Sequence, residues 1–169
     1  MKKEIDASTA RVARLEAKEA ILSTLNKYLY SMDTRFGNDV LDCYTDDAIL
    51  DVPNFPGADG NDLHFEGREQ IAPLYAPYAQ REPGIGGGHH TANIAINVEP
   101  DLSRAAVSAY FMTATINGVQ GGRYEGFMRQ EPDGQWRWEK LSITSAWGWK
   151  VKEVETVSEP VGLQHSPFG

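Results

Sequence analysis

The 169-residue chain has one cysteine, few basic residues and no long apolar run. A lone Cys43 cannot form an internal disulfide or a multi-thiolate metal site. With 16 Lys and Arg against 24 Asp and Glu, the net charge is −8, which disfavours nucleic acids and anionic membranes as partners. No apolar stretch reaches the roughly 18 residues of a membrane span, and the N-terminus does not resemble a signal peptide. We therefore expect a cytoplasmic protein with a small-molecule partner.

Several common catalytic signatures are also missing. The sequence contains no G-x-S-x-G, H-E-x-x-H or C-x-x-C motif, so acyl transfer by a Ser or Cys nucleophile lacks support. The glycine-rich stretch 84–88 lacks the Lys-Ser/Thr of a phosphate-binding loop and is interpreted as a surface loop. Two of the four histidines, His89 and His90, are adjacent, and adjacent strand residues point to opposite faces. We therefore predict no metal site.

The clearest secondary-structure pattern lies in residues 8–32. Apolar residues recur there every three or four positions and form one stripe along a helix: Val12, Leu15, Ile21, Leu22, Leu25, Tyr28, Leu29 and Met32. Shorter helical patterns cover 38–45 and 68–78, the second despite two prolines. A short strand is predicted at 48–52, with 64–66 as its hairpin partner. The first half of the chain thus predicts three helices.

After Gly88 the pattern changes to the two-residue alternation of strands. Turn-forming residues separate four long predicted strands, which are 90–99, 104–116, 123–131 and 135–147. Consecutive hairpins make an antiparallel sheet, so the fold class is α+β, with the helices on one face of a strongly curved sheet. Such a sheet forms a cone that opens into a pocket. We predict one domain over 1–169, with a core at about 10–150 and a tail, 151–169, that covers the mouth or is disordered.

Asp33 follows Met32 at the end of the first predicted helix. If the helix continues, the carboxylate points toward the sheet and needs a polar partner there. The alternative is an Asp that ends the helix and caps the following turn. His89 or His90, at the start of the first long strand, is the available partner. A neutral imidazole that bonds Asp33 through one nitrogen can act as a general base through the other.

These residues resemble the SnoaL-like branch of the NTF2-like superfamily. The resemblance covers about residues 10–150 and rests on Lys27-Tyr28, Asp33, the segments HHTANIAI (89–96) and GGRYEGFMRQEPDGQW (121–136), and a tryptophan-rich last strand. The most similar members are scytalone dehydratase, bile-acid 7α-dehydratase and hexachlorocyclohexane dehydrochlorinase. The resemblance implies an NTF2-like α+β cone, an Asp–His dyad, an active site without a cofactor, and packing against further copies as a dimer or trimer.

Two family patterns place the catalytic histidine differently. The dehydrochlorinase-like pattern H-x-x-x-N selects His89 together with Asn93. The dehydratase-like pattern H-T-x-x-I selects His90, as does simple strand alternation counted back from Ile96. We favour His89 because the preceding glycines permit a bulge that would reverse the alternation.

The implied reaction is proton abstraction followed by elimination. Asp33 would orient the base, while Tyr28 and Tyr44 would donate hydrogen bonds to a departing hydroxyl or an enolate. The predicted wall of a pocket for an aromatic or alicyclic compound consists of Tyr44, Tyr110, Met112, Tyr124, Met128 and Trp147. We expect a lyase that is dehydratase-like or releases formaldehyde. An isomerase or cyclase would use the same base, and a non-catalytic subunit of a ring-hydroxylating dioxygenase would need none.

Overall fold

The computed structural model describes residues 2–34, 37–55, 61–77, 88–115 and 118–150. The chain runs from one long helix through a short 3-10 helix into a six-stranded sheet. The elements are helix α1 (Lys2–Asp33), the 3-10 helix (Gly37–Cys43), strands β1 (Tyr44–Val52) and β2 (Leu63–Glu66), helix α2 (Arg68–Tyr75), and strands β3 (Gly88–Val98), β4 (Arg104–Thr115), β5 (Gly118–Gln130) and β6 (Trp136–Lys150).

The strands form one mixed sheet in the order β2-β1-β6-β5-β4-β3. Strands β3 to β6 pair antiparallel in sequence order, which confirms the predicted succession of hairpins, and β1 pairs parallel with β6. The predicted α+β class is therefore correct. The prediction of a strongly curved sheet is wrong. The sheet is open, with β2 and β3 at its edges, and it is not strongly curled.

The prediction of three α-helices is also wrong, since the described residues contain two. The segment predicted as a helix at 38–45 is a 3-10 helix at Gly37–Cys43, after which the chain enters β1. Its sequence, GNDVLDC, is short and rich in Gly, Asn and Asp, which are poor formers of α-helix. Helix α2 is confirmed as far as Tyr75, with Pro73 inside it.

Helix α1 covers one face of the sheet, which we call the inner face. Its residues Ile21, Leu25, Tyr28 and Met32 are buried, whereas Val12 and Leu15 are exposed. Leu22, which was also predicted on the apolar stripe, is exposed as well, so the stripe packs from Ala17 onward without Leu22. Across the fold, Thr24 Oγ1 donates to the carbonyl of Trp136 at 2.7 Å and ties α1 to the start of β6.

Strand β4 shows which residues belong to each face. Its buried residues are Ala105, Val107, Ala109, Phe111 and Thr113, which alternate with exposed Tyr110 and Met112. The first set lies on the inner face, because side chains alternate along a strand, and the second lies on the opposite face, which we call the outer face.

Among the described residues, no helix combines the length and apolar character needed to cross a membrane.

Candidate active site

Asp33 and His89 form a hydrogen-bonded pair between the end of α1 and the start of β3. His89 Nδ1 lies 2.6 Å from Asp33 Oδ1, and the backbone N–H of His89 donates to Asp33 Oδ2, also at 2.6 Å. The His89 side chain is 8% exposed and that of Asp33 is 24% exposed. Both carboxylate oxygens therefore hold the same residue, which fixes the imidazole ring relative to the helix.

The pairing with a carboxylate determines the tautomer of His89. An ionised carboxylate only accepts hydrogen bonds, so Nδ1 carries the hydrogen that it donates to Asp33. In the neutral ring, Nε2 then has the lone pair and is the basic atom. None of the described residues makes a hydrogen bond to Nε2. The arrangement presents an oriented base.

Gly88 leaves space for this contact. Its φ of +76° lies in the left-handed region, and a Cβ atom built on it would stand 2.8 Å from Asp33 Oδ2. Only glycine adopts this conformation readily and also avoids the carboxylate. The last residue of the glycine-rich stretch thus serves the dyad, while residues 84–87 lie outside the described residues, as does the tail at 151–169.

A bulge in β3 decides which histidine meets Asp33. The register between β3 and β4 shifts between Ala92 and Ala95, and Asn93 adopts a φ of +52°. The bulge reverses the alternation, so that His89 pairs with inner-face Thr113 and His90 pairs with outer-face Met112. The preference for His89 as the partner of Asp33 agrees with this geometry, but the bulge lies after the histidine and not at the glycines before it.

Three buried tyrosines, Tyr28, Tyr44 and Tyr75, form a second polar cluster that we call the tyrosine trio. The hydroxyl of Tyr75 lies 2.9 Å from that of Tyr28 and 2.7 Å from that of Tyr44. Burial raises the pKa of all three well above the ordinary value of 10.0, and the neighbouring rings add to the effect. The trio therefore stays protonated at neutral pH and can donate hydrogen bonds. The sequence analysis missed Tyr75, although its spacing of four from Ile71 places both on the buried side of α2.

Aromatic side chains extend from the trio toward the dyad. Tyr124 meets Tyr28 edge-on at 5.8 Å between ring centroids and stacks on Phe111 at 4.6 Å. Phe111 pairs across the sheet with Thr91, two residues after His89 on the same face. Tyr28, Tyr44 and Tyr124 thus lie on the same side of the sheet as the dyad.

Three predicted wall residues lie on the wrong face. Tyr110 and Met112 are exposed on the outer face of β4, and Trp147 is exposed opposite Gly121, which itself pairs with Met112. Tyr110 and Met112 do share a face, as the alternation predicted, but it faces away from His89. Met128 is fully buried on the inner face opposite Ala105, at the far end of β4 from the dyad. It is therefore a core residue.

Comparison with known proteins identifies the family. The profile of the SnoaL-like domain matches residues 13–153. The chain belongs to this family. The resemblance inferred from the sequence is thereby confirmed. No curated protein sequence matches the chain.

Solved structures with the same fold include enzymes of the lyase class. This SnoaL-like domain is similar to a scytalone dehydratase-like protein from Novosphingobium aromaticivorans, with 17% identity, a TM-score of 0.65 and coverage of 92% of this chain and 99% of that one. It is also similar to the type 3 hexachlorocyclohexane dehydrochlorinase from Novosphingobium barchaimii, with 16% identity, a TM-score of 0.65 and coverage of 88% and 99%. At these identities the likeness shows the fold alone.

A third similar structure is a ketosteroid isomerase-like protein from Parabacteroides distasonis. It is 16% identical to this chain, has a TM-score of 0.57, and the match covers 75% of this chain and 85% of that one.

In the described part of this SnoaL-like domain, no three His, Cys, Asp or Glu side chains are grouped as metal ligands. The roles of Asp33, His89 and the tyrosines stay predictions.

Proposed function

We propose that this SnoaL-like domain is a lyase that takes a proton from a carbon atom of a small ring compound and then expels water. The observation that carries the proposal is the Asp33–His89 pair, in which two hydrogen bonds of 2.6 Å hold one imidazole. A general base of this kind supplies a rate factor of about 10²–10⁴. The dehydratase and dehydrochlorinase among the similar folds support the lyase class.

The proposed reaction starts with a carbon acid near His89. Nε2 takes the proton, and the electron pair of the broken C–H bond forms a carbon–carbon double bond as the adjacent C–O bond breaks. Asp33 stabilises the imidazolium that results, because its carboxylate remains ionised beside Nδ1. The proton on Nε2 then passes to the departing hydroxide, so water leaves and His89 is neutral again. The step uses only side chains of this chain, and we propose no cofactor.

The tyrosine trio is the proposed source of hydrogen bonds to oxygen. Hydroxyls that stay protonated can stabilise negative charge that develops on a leaving hydroxyl or an enolate. Tyr28 lies five residues before Asp33, which is about 7.5 Å along a helix. A ring compound placed against Tyr124 and Phe111 would span that distance. The proposed substrate is therefore a small hydrophobic aromatic or alicyclic compound.

The same base also permits two related reactions. If Nε2 instead takes the proton of a hydroxymethyl O–H group, the electron pair of that bond forms the C=O of formaldehyde as the C–C bond breaks. The ring carbon keeps the C–C electron pair and takes the proton back from His89. If the proton returns to a different carbon, the reaction is an isomerisation, and the ketosteroid isomerase-like fold among the similar structures favours this as the second candidate.

We also propose a second copy of the chain as a partner on the outer face. This face combines exposed large side chains, Tyr110, Met112, Trp147 and Trp149, with a groove of about 530 Å³ whose lining includes Ala95, Ala106 and Ser108. The groove also carries both charge signs, since Glu125 and Lys140 line it. Large residues of one copy can fill the groove of another, as in an interface of a homodimer or trimer.

The experiment is a screen of aryl and alicyclic alcohols and ketones by mass spectrometry in heavy water. Loss of water indicates dehydration, loss of formaldehyde indicates C–C cleavage, and deuterium uptake without loss indicates proton abstraction, which is isomerisation if the product also has a different structure. We expect His89→Ala to reduce the rate of conversion or exchange by at least about 10²-fold. The control is His64→Ala, which removes an exposed histidine of β2 that binds Asp51 and should leave that rate unchanged. If wild type neither converts nor exchanges any compound, or if His89→Ala matches wild type, the base assignment is wrong and a non-catalytic role is favoured.

A further inference from the structure

Thr113 has a buried hydroxyl that lies beside the dyad and has no hydrogen-bond partner among the described residues. Its side chain belongs to the inner face, the residue is 4% exposed, and Oγ1 bonds to no group in the described part of the chain. In the register of β3 and β4, Thr113 lies directly opposite His89. Directly opposed residues on one face have Cβ atoms about 4.5–5.5 Å apart. The hydroxyl is therefore a close neighbour of the imidazole.

A hydroxyl at this position does not help the fold. Burial removes the hydroxyl from water, and no group in the described part of the chain replaces the lost hydrogen bond, so Thr113 lowers the stability of the native state. Valine has nearly the same shape without the polar atom. The two preceding inward residues of β4, Ala109 and Phe111, are apolar, as packing on this face requires. The hydroxyl of Thr113 is consequently available to a ligand.

The chemistry of the neighbouring base indicates which ligand atom would use it. Asp33 occupies Nδ1 of His89, and Thr113 makes no hydrogen bond to the ring, so Nε2 and Oγ1 are two separate polar atoms on adjacent strands. Carbon gives up a proton readily when an electron-withdrawing group is attached nearby. An oxygen of a carbonyl or a leaving hydroxyl accepts a hydrogen bond well, whereas carbon-bound halogen and hydrocarbon do not.

We propose that the Thr113 hydroxyl donates a hydrogen bond to a substrate oxygen close to the carbon that His89 deprotonates. Thr113 thereby selects an oxygenated ring compound, a ketone or an alcohol, over a halogenated or purely hydrocarbon ring. This inference rests on the proposed function, because it places the ligand at the dyad. Thr113 keeps its own proton, and its role is to determine which substrate binds through the hydrogen bond that it donates.

Binding of two probes that differ by one carbonyl tests the inference. The probes are 2-tetralone and tetralin, with dissociation constants measured by NMR titration of wild type, Thr113→Val and Thr113→Ser. We expect wild type to prefer the ketone, Thr113→Val to lose about threefold to tenfold of that preference, and Thr113→Ser to keep most of it. The affinity for tetralin should change little in either variant.

Thermal unfolding supplies the control against a structural role. Thr113→Val should melt at the same temperature as wild type or higher, because it removes an unsatisfied polar group. Thr24→Val, the same change at a threonine that bonds the Trp136 carbonyl, should melt lower and keep the ketone preference. A wild type without ketone preference, a Thr113→Val variant that retains it, or a lower melting temperature for Thr113→Val would overturn the inference.

The two proposals fail separately in this design. Binding does not require proton transfer, whereas deuterium uptake into 2-tetralone above the rate in buffer alone requires a base on the protein. Loss of ketone preference in Thr113→Val without uptake by wild type would refute the base and retain the contact. Uptake by wild type with an unchanged preference in Thr113→Val would refute the contact and retain the base.

Discussion

Replacing Asp33 with Asn tests the dyad most directly. The carboxylate accepts two hydrogen bonds from His89, and an amide oxygen can accept only one of them. The NH₂ group of the amide would then face the other N–H donor of His89, so one charge-assisted hydrogen bond is lost. Such a bond contributes about 1.5–3 kcal/mol. For a protein of this length we expect the melting temperature to fall by about 4–8 °C.

The effect on turnover should be larger than the effect on stability. Without the carboxylate, Nδ1 is no longer held as the donor, and the ring adopts the tautomer and orientation that suit proton abstraction only part of the time. We expect a loss of about 10²–10⁴-fold in the rate of a converted or exchanged compound. Nitrogen-15 NMR of the imidazole should show Nδ1–H in wild type and a mixture of tautomers in the variant.

Asp101→Asn is the matched control for this substitution. The Asp101 carboxylate also accepts two hydrogen bonds from one residue, at 3.1 Å from the backbone N–H and 2.8 Å from the hydroxyl of Ser103, but in an exposed turn. The Asp101→Asn variant should melt at a lower temperature than wild type and keep the wild-type turnover rate. The dyad hypothesis is refuted if Asp33→Asn keeps the wild-type rate, or if Asp101→Asn slows turnover as much.

Two further predictions concern the trio and the outer face. Because burial raises the pKa of each tyrosine of the trio, the native state holds three protons that the unfolded state releases above about pH 10, so stability should fall there by about 4 kcal/mol per pH unit. The tyrosinate absorbance of Tyr75, taken as the difference between wild type and Tyr75→Phe, should appear together with the loss of circular dichroism, and Tyr75→Phe should reduce the slope by about a third. Ionisation of Tyr75 in a folded protein would contradict this. Met112→Glu should shift the mass in light scattering from dimer or trimer to monomer. Leu15→Glu, at an exposed apolar residue of α1 and so away from the outer face, is the control. A wild-type monomer would exclude the proposed interface.

The elements of the fold were largely predictable from the sequence, because each depends on a local pattern. The four long strands follow from two-residue alternation between turn-forming segments, and their pairing into hairpins follows from the short turns. The 3-10 helix at Gly37–Cys43 was not predictable as such. Apolar residues at helical spacing cannot distinguish a turn of 3-10 helix from a short α-helix.

The candidate site was predictable in its chemistry and less so in its geometry. Asp33 follows the apolar stripe of α1, so a pairing with one of the adjacent histidines could be inferred. The choice of His89 depends on the bulge at Asn93, whose position relative to the histidines the sequence does not reveal. Tyr75 escaped notice because its hydroxyl meets Tyr28 and Tyr44 only in three dimensions.

The sequence by itself determined that a helix-end carboxylate and a strand-end histidine are available, and that Tyr110 and Met112 share one face of a strand. Only the tertiary structure decided which face that is. Large residues usually indicate the core, yet Tyr110 and Met112 are exposed, and the covered face of β4 carries Ala105, Ala109 and Thr113 beside Val107 and Phe111. Alternation records that neighbouring side chains point to opposite sides, whereas burial depends on which side another element covers.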